Sequence, residues 1–265
     1  MKRTRISIDP AALPEPVRAW IGSAPVYDSS CSAQAQVLFL DGGGGRFLKI
    51  GRAKSLYREA QMTAYFHGKG LSTPVLGYIS GDKDYLLTAR IPGEDGIAPQ
   101  HLADPKRLCD VYAESLRTLH GTACADCPVR GMTSGMFDEM TRVRKTGSYD
   151  ADLLAYCGMR DPDEAYRLLC ERRELLRDDT LIHGDCCLPN ILFEEFAFTG
   201  FIDLGEAGMG ERNYDLFWGV WTLQFNLHTD AYKDRFLDAY GRADVDLERM
   251  QLCGMLSALT YAGSV

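Results

Sequence analysis

Short apolar stretches separated by turn-forming residues fill the first third of the chain, and they predict a β-rich region. Four stretches carry this pattern: 26–40, 46–50, 75–80 and 85–89. Small residues at 29–33 form a loop inside the first stretch, and the glycine run at 42–45 predicts the tip of a hairpin. Residues 56–67 have a helical composition that ends at Gly68, so one helix is expected within this region.

The pattern changes to helical spacing after 91–96, where a proline and two glycines break regular structure. Leu108, Tyr112 and Leu116 repeat every four residues, as on one face of a helix. Helices are predicted at 107–120, 163–177, 214–227, 231–240 and 247–259, and a short hairpin at 191–193 with 198–203. The sequence therefore predicts an α+β protein with a small β-rich lobe over 1–92 and a larger helical lobe over 93–265.

Composition and charge narrow the class of protein. The chain has 265 residues, 46% of them hydrophobic and 25% charged, as is ordinary for a globular protein. The net charge is −8, from 37 acidic and 29 basic residues. Nucleic acid is thereby disfavoured as a partner, because phosphate backbones attract basic surfaces, whereas a cationic small molecule suits the charge.

Membrane and secretion signals are not found in the sequence. No run approaches the roughly 18 apolar residues of a membrane span. Prolines and acidic residues between Asp9 and Pro16 interrupt the apolar stretch that a signal peptide needs. The nine cysteines are an odd number and scattered, so free thiols are expected. We therefore expect a cytoplasmic protein, monomeric or homodimeric, that binds neither a membrane nor nucleic acid.

The most informative stretch is Leu-Ile-His-Gly-Asp-Cys-Cys-Leu-Pro-Asn-Ile-Leu-Phe at 181–193, followed by Phe-Ile-Asp-Leu-Gly at 201–205. Asp185 is followed five positions later by Asn190, and Asp203 comes after the predicted hairpin. Kinase-type active sites hold a metal ion and orient a nucleophile with this layout. The motif therefore predicts phosphoryl transfer.

The residue types suit that chemistry. Phosphoryl transfer passes through a loose transition state, so positioning and charge neutralisation matter more than covalent participation of the protein. Mg²⁺ prefers oxygen ligands and takes few of them from protein, a need that Asn190 and Asp203 meet. Asp185 is then left to orient the acceptor hydroxyl and take its proton. The hairpin folds Asp203 back towards Asn190.

These residues resemble the aminoglycoside phosphotransferase family, which has a two-lobed protein-kinase-like fold, and within it the aminoglycoside 3′-phosphotransferases most closely. The resemblance is carried by His-Gly-Asp-x-Cys-Leu-Pro-Asn at 183–190, by Gly-Phe-Ile-Asp at 200–203 and by the helix and loop within 108–128. It covers nearly the whole chain. It implies an enzyme that transfers the γ-phosphoryl group of ATP or GTP to a hydroxyl of an aminoglycoside, with Mg²⁺ as cofactor, and so confers antibiotic resistance.

The resemblance also implies roles for individual residues. Asp185 becomes the catalytic aspartate, and Asn190 and Asp203 the Mg²⁺ ligands. Lys49 becomes the lysine that reaches the α- and β-phosphates, and Glu59 its partner on a helix. The remaining nucleotide contacts are expected from Ser32, in the loop that covers the phosphates, and from the backbone around the hinge at Ala89 and Ile91.

Acceptor recognition is where the sequence departs from the relatives. A polycationic acceptor calls for carboxylates, and the chain offers Asp161, Asp163, Glu164 and Glu206. Glu206 stands where the relatives carry arginine, and it could bind an amine or pair with a local arginine such as Arg212. The acidic pair that the relatives carry near the C-terminus is replaced by Ser257 and Ala258. A different hydroxylated acceptor, such as another antibiotic, a sugar or an amino alcohol, therefore stays open.

Two other classes remain as alternatives. A pseudokinase would bind nucleotide without turnover, but such proteins usually lack one of Lys49, Asp185, Asn190 and Asp203, and all four are present. A protein kinase is disfavoured because the chain has no His-Arg-Asp, no Ala-Pro-Glu and no long segment after 203–205 for an activation loop.

Overall fold

The structure is a computed structural model, and it describes residues 3–31 and 35–260. Its strands are β1 (Thr4–Ile6), β2 (Val26–Asp28), β3 (Gln36–Leu40), β4 (Arg46–Arg52), β5 (Val75–Ser80), β6 (Lys83–Ala89), β7 (Glu94–Asp95), β8 (Thr180–Ile182), β9 (Ile191–Glu194), β10 (Ala197–Phe201) and β11 (Gly208–Gly210). Its α-helices are α1 (Glu15–Ile21), α2 (Tyr57–Gly68), α3 (Pro99–Leu102), α4 (Pro105–His120), α5 (Met132–Arg144), α6 (Ala151–Tyr156), α7 (Pro162–Arg172), α8 (Arg212–Leu227), α9 (Lys233–Tyr240) and α10 (Leu247–Thr260).

The chain divides into two compact units. The first unit combines Met1–Ala98 with Pro189–Glu206, and the second combines Pro99–Leu188 with Ala207–Val265. The first unit is thus built mainly from strands, and the second mainly from helices. Among the described residues, no helix is both long enough and apolar enough to cross a membrane.

An antiparallel six-stranded sheet, in the order β1-β2-β3-β4-β6-β5, forms most of the first unit. Alternation along β4 sends Leu48 and Ile50 into an apolar cluster that includes Val17 of α1. Lys49, which pairs with Leu86 of β6, therefore lies on the opposite face of the sheet. Leu86 packs there against α2, so the register of β4 decides that Lys49 faces this helix.

A second, three-stranded sheet in the order β10-β9-β7 also belongs to the first unit. Its close packing requires glycine at position 93, which has φ +93°. A Cβ atom there would lie 2.3 Å from the backbone oxygen of Phe193. The sheet holds the β9–β10 hairpin, which carries the segment between Asn190 and Asp203.

Helices dominate the second unit, and α4 shows why they form. Pro105 stands in the first turn, and the side chain of Asp104 accepts a hydrogen bond from Arg107 N as an N-cap. The apolar face of α4 buries Leu108, Tyr112 and Leu116, as the sequence spacing predicts. An apolar cluster built from α5, α6, α7, α8 and α10 provides the core of this unit.

The predicted elements recur with shifted ends. The glycine run 42–45 forms the β3–β4 hairpin tip, as predicted. The helix predicted over 163–177 begins at Pro162 and ends at Arg172, where a 3₁₀ turn replaces it. The second hairpin strand, predicted over 198–203, stops at Phe201 because Asp203 has φ +57°, which a strand cannot accommodate.

Some elements were not predicted. No helix was predicted near the N-terminus, but Pro16 stands in the first turn of α1, where proline is favourable. Helices α5 and α6 were also missed, because Gly135 and many polar residues obscure their apolar faces. The cysteines are free thiols, as predicted.

Candidate active site

Lys49 lies at the centre of an ion-pair cluster in the first unit. Its Nζ atom is 2.8 Å from Glu59 Oε2 on α2 and 2.8 Å from Asp203 Oδ1 after β10. A Cβ atom on Gly205 would lie 3.9 Å from the Cβ of Glu59, which shows how closely the turn after Asp203 approaches α2. Three of the predicted site residues therefore meet, although 154 positions separate Lys49 from Asp203.

The positive and negative charges of this cluster do not balance, because one ammonium group pairs with two carboxylates. Burial alone would lower the pKa of Lys49, but the charges and hydrogen bonds of Glu59 and Asp203 outweigh it and raise that pKa. Burial, helped by the charge of Asp203, raises the pKa of Glu59 despite the opposing effect of Lys49. The cluster carries an excess negative charge when all three groups are ionised. Asp203, whose side chain is 50% exposed, is the member best placed to meet a further cation.

Asn190 lies beside this cluster in the same unit. Ile202 N donates a hydrogen bond to the Asn190 backbone oxygen at 3.0 Å, which brings Asn190 next to the residue before Asp203. Asp203 itself has φ +57°, a strained conformation for a non-glycine residue that often marks a functional position. An amide and a half-exposed carboxylate offer the hard oxygen donors that Mg²⁺ prefers, and Mg²⁺ needs few protein ligands. The residues present therefore fit this ion.

Asp185 belongs to the second unit. It lies in a loop after β8 whose backbone donates hydrogen bonds to a buried carboxylate. Asp215 of α8, which is fully buried, accepts hydrogen bonds from His183 N at 2.7 Å and from Gly184 N at 2.9 Å. Gly184 has φ +79°, so the loop turns sharply just before Asp185. The half-buried Asp185 is thereby held on a defined backbone.

Residues of α4 and α8 fix the rest of this loop. The hydroxyl of Tyr112 donates to the Cys186 backbone oxygen at 2.7 Å, and Leu188 N donates to Thr222 Oγ1 at 3.2 Å. The thiol of Cys187 hydrogen-bonds to Asp185, and burial together with the charge of Asp185 raises the pKa of this thiol. Cys187 therefore stays protonated at neutral pH.

A buried polar network continues beyond Asp215 and was missed in the sequence. His120 of α4 contacts Asp215 Oδ2 through Nε2 at 3.2 Å and the hydroxyl of Tyr240 through Nδ1 at 2.8 Å. Burial opposes ionisation of Asp215, but the hydrogen bond and charge of His120, with the contribution of His183, lower its pKa. In the sequence, His120 and Asp215 each look like an ordinary polar residue of a helix. Because 95 positions separate them, the sequence gives no sign of their contact.

We expect Asp215→Ala to lower the free energy of unfolding by about 3–5 kcal/mol, because it leaves buried donors without their acceptor. Since the folded-state pKa of Asp215 is lowered, its stabilising effect is complete above about pH 4 and is lost as pH falls further. Urea unfolding at pH 7 measures the loss. Asp110→Ala is the matched control, since it removes an exposed ion pair with Arg235 and should cost less than about 1 kcal/mol. Equal stability losses for the two variants would contradict the role of Asp215.

The carboxylates predicted for the acceptor are largely engaged in local contacts. Asp161 caps α7 by accepting from Asp163 N at 2.9 Å and Glu164 N at 3.3 Å. Asp163 pairs with Arg144 at 2.7 Å, whereas Glu164 is exposed. These three residues lie together at the start of α7 in the second unit.

Glu206 belongs to the first unit, where its Oε2 atom lies 3.8 Å from Arg58. Glu206 thus pairs with a local arginine, one of the two roles left open by the sequence. The arginine is Arg58 and not the example Arg212, which pairs with Asp244 at 3.6 Å. Glu206 is 68% exposed in its side chain, so the pair with Arg58 is a solvated one.

Of the other residues predicted to contact the nucleotide, the structure describes Ala89 and Ile91. Ser32 lies outside the described residues. Ala89 uses both of its backbone groups: its N–H donates to Pro74 at 3.3 Å, and its oxygen accepts from Thr73 Oγ1 at 2.8 Å. Ile91 is buried, and its side chain lies against Gly200.

Comparison with known proteins identifies the family. The model of the phosphotransferase enzyme family (APH) matches residues 28–253. A "Probable aminoglycoside 3'-phosphotransferase" of Lactococcus lactis is 45% identical over 255 residues, covering 96% of this chain and 97% of the relative. An "Aminoglycoside 3'-phosphotransferase" of Niallia circulans is 32% identical and covers 79% of this chain and 81% of its own length.

Solved structures agree on the fold. The aminoglycoside phosphotransferase APH(3'')-Id of Streptomyces rimosus superposes with a TM-score of 0.77 at 23% identity, covering 96% of this chain and all of that one. This likeness confirms the kinase-like fold that the sequence predicts. The chain belongs to the APH phosphotransferase enzyme family and is a small-molecule kinase.

Proposed function

We propose that this enzyme transfers the γ-phosphoryl group of ATP or GTP to a hydroxyl of an aminoglycoside antibiotic and so gives resistance. The observation that carries the proposal is the contact of Lys49 with both Glu59 and Asp203, since it places a phosphate-binding cation beside a carboxylate suited to a metal. The names of the relatives support the acceptor class. A structure of similar fold was solved with ADP and streptomycin.

Lys49 is assigned to the α- and β-phosphates, because a partly buried ammonium whose pKa is raised stays charged. Glu59 fixes the lysine side chain in the direction of the donor. Ser32 is assigned to the loop that covers the phosphates. The adenine contacts at the hinge are assigned to the backbone of Ala89 and Ile91. The Ala89 oxygen accepts one hydrogen bond from Thr73 Oγ1 and keeps a second lone pair for such a contact.

Asn190 and Asp203 would hold Mg²⁺, which when bound supplies positive charge against the phosphate oxygens. Asp185 orients the acceptor hydroxyl and takes its proton as the hydroxyl oxygen bonds to the γ-phosphorus, while the bond from that phosphorus to the β,γ-bridging oxygen breaks and ADP or GDP leaves. The hydrogen bonds from His183 and Gly184 to Asp215 keep the Asp185 backbone in place during this step. Nucleotide binding is assigned to residues 1–92, and acceptor binding with catalysis to 93–265.

The acceptor is assigned to the carboxylates of Asp161, Asp163, Glu164 and Glu206. Glu164 and Glu206 are the more exposed candidates, because Asp161 caps α7 and Asp163 pairs with Arg144. This partial engagement favours a second candidate function, phosphorylation of a different hydroxylated small molecule by the same machinery. In either case we place the enzyme in the cytoplasm, as a monomer or homodimer without nucleic-acid or membrane partners.

Turnover of the purified protein tests the proposal. A coupled assay with Mg·ATP and Mg·GTP is run against kanamycin, neomycin, other hydroxylated antibiotics, sugars and simple amino alcohols. We expect phosphorylation of at least one aminoglycoside with kcat/KM on the order of 10⁴–10⁸ M⁻¹s⁻¹. Turnover with a different acceptor alone would contradict the aminoglycoside and keep the kinase. Nucleotide binding without turnover on any acceptor would instead favour the pseudokinase.

A further inference from the structure

A carboxylate in the first unit is fully buried, and the mechanism proposed above does not use it. It belongs to Asp84 of β6, which is 0% exposed. Its Oδ1 atom accepts hydrogen bonds from Lys54 N at 2.9 Å and from Ser80 Oγ at 2.7 Å. Its Oδ2 atom accepts from Leu56 N at 2.9 Å and from the Tyr78 hydroxyl at 2.9 Å. These four hydrogen bonds offset the cost of burying a charge.

Asp84 is ionised at neutral pH. Burial opposes ionisation and raises the pKa of Asp84, but the hydrogen bonds from Ser80, Leu56, Lys54 and Tyr78 together lower it below its ordinary value. Hydrogen bonds to a charged acceptor are stronger than those between neutral groups. The contacts of Asp84 therefore hold their donors firmly.

The two backbone donors belong to the loop at 53–56, which connects β4 with α2. Leu56 is the N-cap residue of α2, and a leucine side chain cannot accept a hydrogen bond. Asp84 instead accepts from the Leu56 N–H, one of the backbone groups that a helix start leaves without a partner. Lys54 has φ +64°, a left-handed conformation that is strained for a lysine, and its hydrogen bond to Asp84 helps to hold it. Asp84 thus fixes the point at which α2 begins.

The same loop packs against β4 at Gly51, the residue that pairs with Asp84 between β4 and β6. A Cβ atom on Gly51 would lie 2.6 Å from Ser55 Oγ and 3.0 Å from Leu56 Cγ. The loop is therefore in close contact with β4 while it is hydrogen-bonded to β6. Both contacts restrict the start of α2.

The start of α2 determines the position of Glu59. Glu59 follows the N-cap Leu56 by three residues and lies in the first turn of the helix. Lys49 lies two residues before Gly51 on β4, so both residues are on the face of the sheet that α2 covers. The 2.8 Å contact between Lys49 Nζ and Glu59 Oε2 therefore depends on the distance from β4 to the start of α2, which Asp84 fixes.

We propose that Asp84 is a positioning residue for phosphoryl transfer: by accepting hydrogen bonds from Lys54 N and Leu56 N it fixes the start of α2 and so directs Glu59 towards Lys49. The proposal rests on the function proposed above, in which Lys49 binds the phosphates. Asp84 acts through Glu59 and is not itself a contact of the nucleotide.

Steady-state kinetics of Asp84→Asn, with Mg·ATP varied and kanamycin as acceptor, test this role. Asparagine places an amide N–H₂ group among N–H and O–H donors, so the start of α2 loses part of its attachment. We expect the KM for Mg·ATP to rise about tenfold, while the KM for kanamycin stays within about twofold. A residue with a merely structural role would lower the melting temperature and leave the KM for Mg·ATP of the folded enzyme unchanged.

A double-mutant cycle with Glu59→Gln tests whether Asp84 acts through Glu59. In the Glu59→Gln background the partner of Lys49 has already lost its charge, so Asp84→Asn should change the KM for Mg·ATP by less than about twofold. A full tenfold change in that background would overturn the route through Glu59. Tyr78→Phe is the matched control, since it removes one hydrogen bond to the same carboxylate from β5 and leaves the loop attached. It should lower the melting temperature but keep the KM for Mg·ATP within about twofold.

Direct titration with a fluorescent ATP analogue and Mg²⁺ gives the comparison without an acceptor. We expect the affinity of Asp84→Asn for this analogue to fall about tenfold. Asp84→Ser, whose smaller side chain fits the same space, provides the second variant if the asparagine variant does not fold. Unchanged nucleotide affinity and KM in the folded variants would overturn the positioning role of Asp84. Wild-type protein that binds Mg·ATP but phosphorylates no aminoglycoside would overturn the proposed function alone.

Discussion

Asp185→Ala is expected to reduce kcat by about 10²–10⁴-fold, because it removes the group that orients the acceptor hydroxyl and takes its proton. The affinity for nucleotide should stay nearly unchanged, since the Lys49 cluster that is assigned to the phosphates lies in the other unit. Single-turnover kinetics measure the chemical step, and fluorescence titration with a labelled nucleotide measures binding.

The design separates loss of chemistry from loss of structure. Asp185 is half-buried, and its loop is held through His183, Gly184 and Leu188, so the alanine variant should keep its melting temperature within a few degrees. Asp82→Ala removes an exposed carboxylate in the β5–β6 turn and serves as the control that retains activity. Wild-type turnover by Asp185→Ala would refute the catalytic role.

Asp203→Ala is expected to weaken the binding of Mg·ATP on the order of 100-fold, because it removes the carboxylate proposed to hold the metal. The same change frees Lys49 from one of its two carboxylates, so binding of ATP without metal should be retained or slightly strengthened. The ratio of affinities measured with Mg²⁺ and with EDTA should therefore fall from a large value towards one.

That ratio is a sharper measurement than activity, which would be lost for many reasons. Asp203→Asn is a more conservative test of the metal assignment, because it keeps an oxygen donor but removes the charge. Its affinity for Mg·ATP should fall between those of wild type and Asp203→Ala. Identical Mg·ATP affinity in wild type and Asp203→Ala would exclude Asp203 as a metal ligand.

The motif proposed to be catalytic could be found in the sequence because its members are close along the chain. Asp185, Asn190 and Asp203 lie within twenty positions in an apolar frame, and a hairpin between the last two explains their spacing. Lys49 and Glu59 became candidates only through resemblance to a family. Their contact depends on the register of β4 and on which face of the sheet α2 covers, neither of which local pattern determines.

The residues that support the Asp185 loop could not be predicted from the sequence, and the sequence could not decide between the possible roles of the carboxylate at the start of α7. Asp215 and His120 act through contacts between distant helices, and a polar residue in a helix gives no sign of such a partner. Asp161, which is assigned to the acceptor, also caps α7, and a carboxylate at a helix start has the same sequence signature whether it caps the helix or binds an amine. The sequence predicted the helix over 214–227 but not that a ring such as Phe225 is exposed, since periodicity does not show which faces of a helix are covered.

The buried position of Asp215 has a consequence for how this enzyme can evolve under drug selection. Asparagine would place an amide N–H₂ against backbone N–H donors, and glutamate would need space for an additional methylene in a fully packed interior. No single substitution therefore preserves what this carboxylate does. Exposed positions away from the site, such as Asp82, face no comparable constraint, so inherited variation should collect at them while position 215 stays invariant among active descendants.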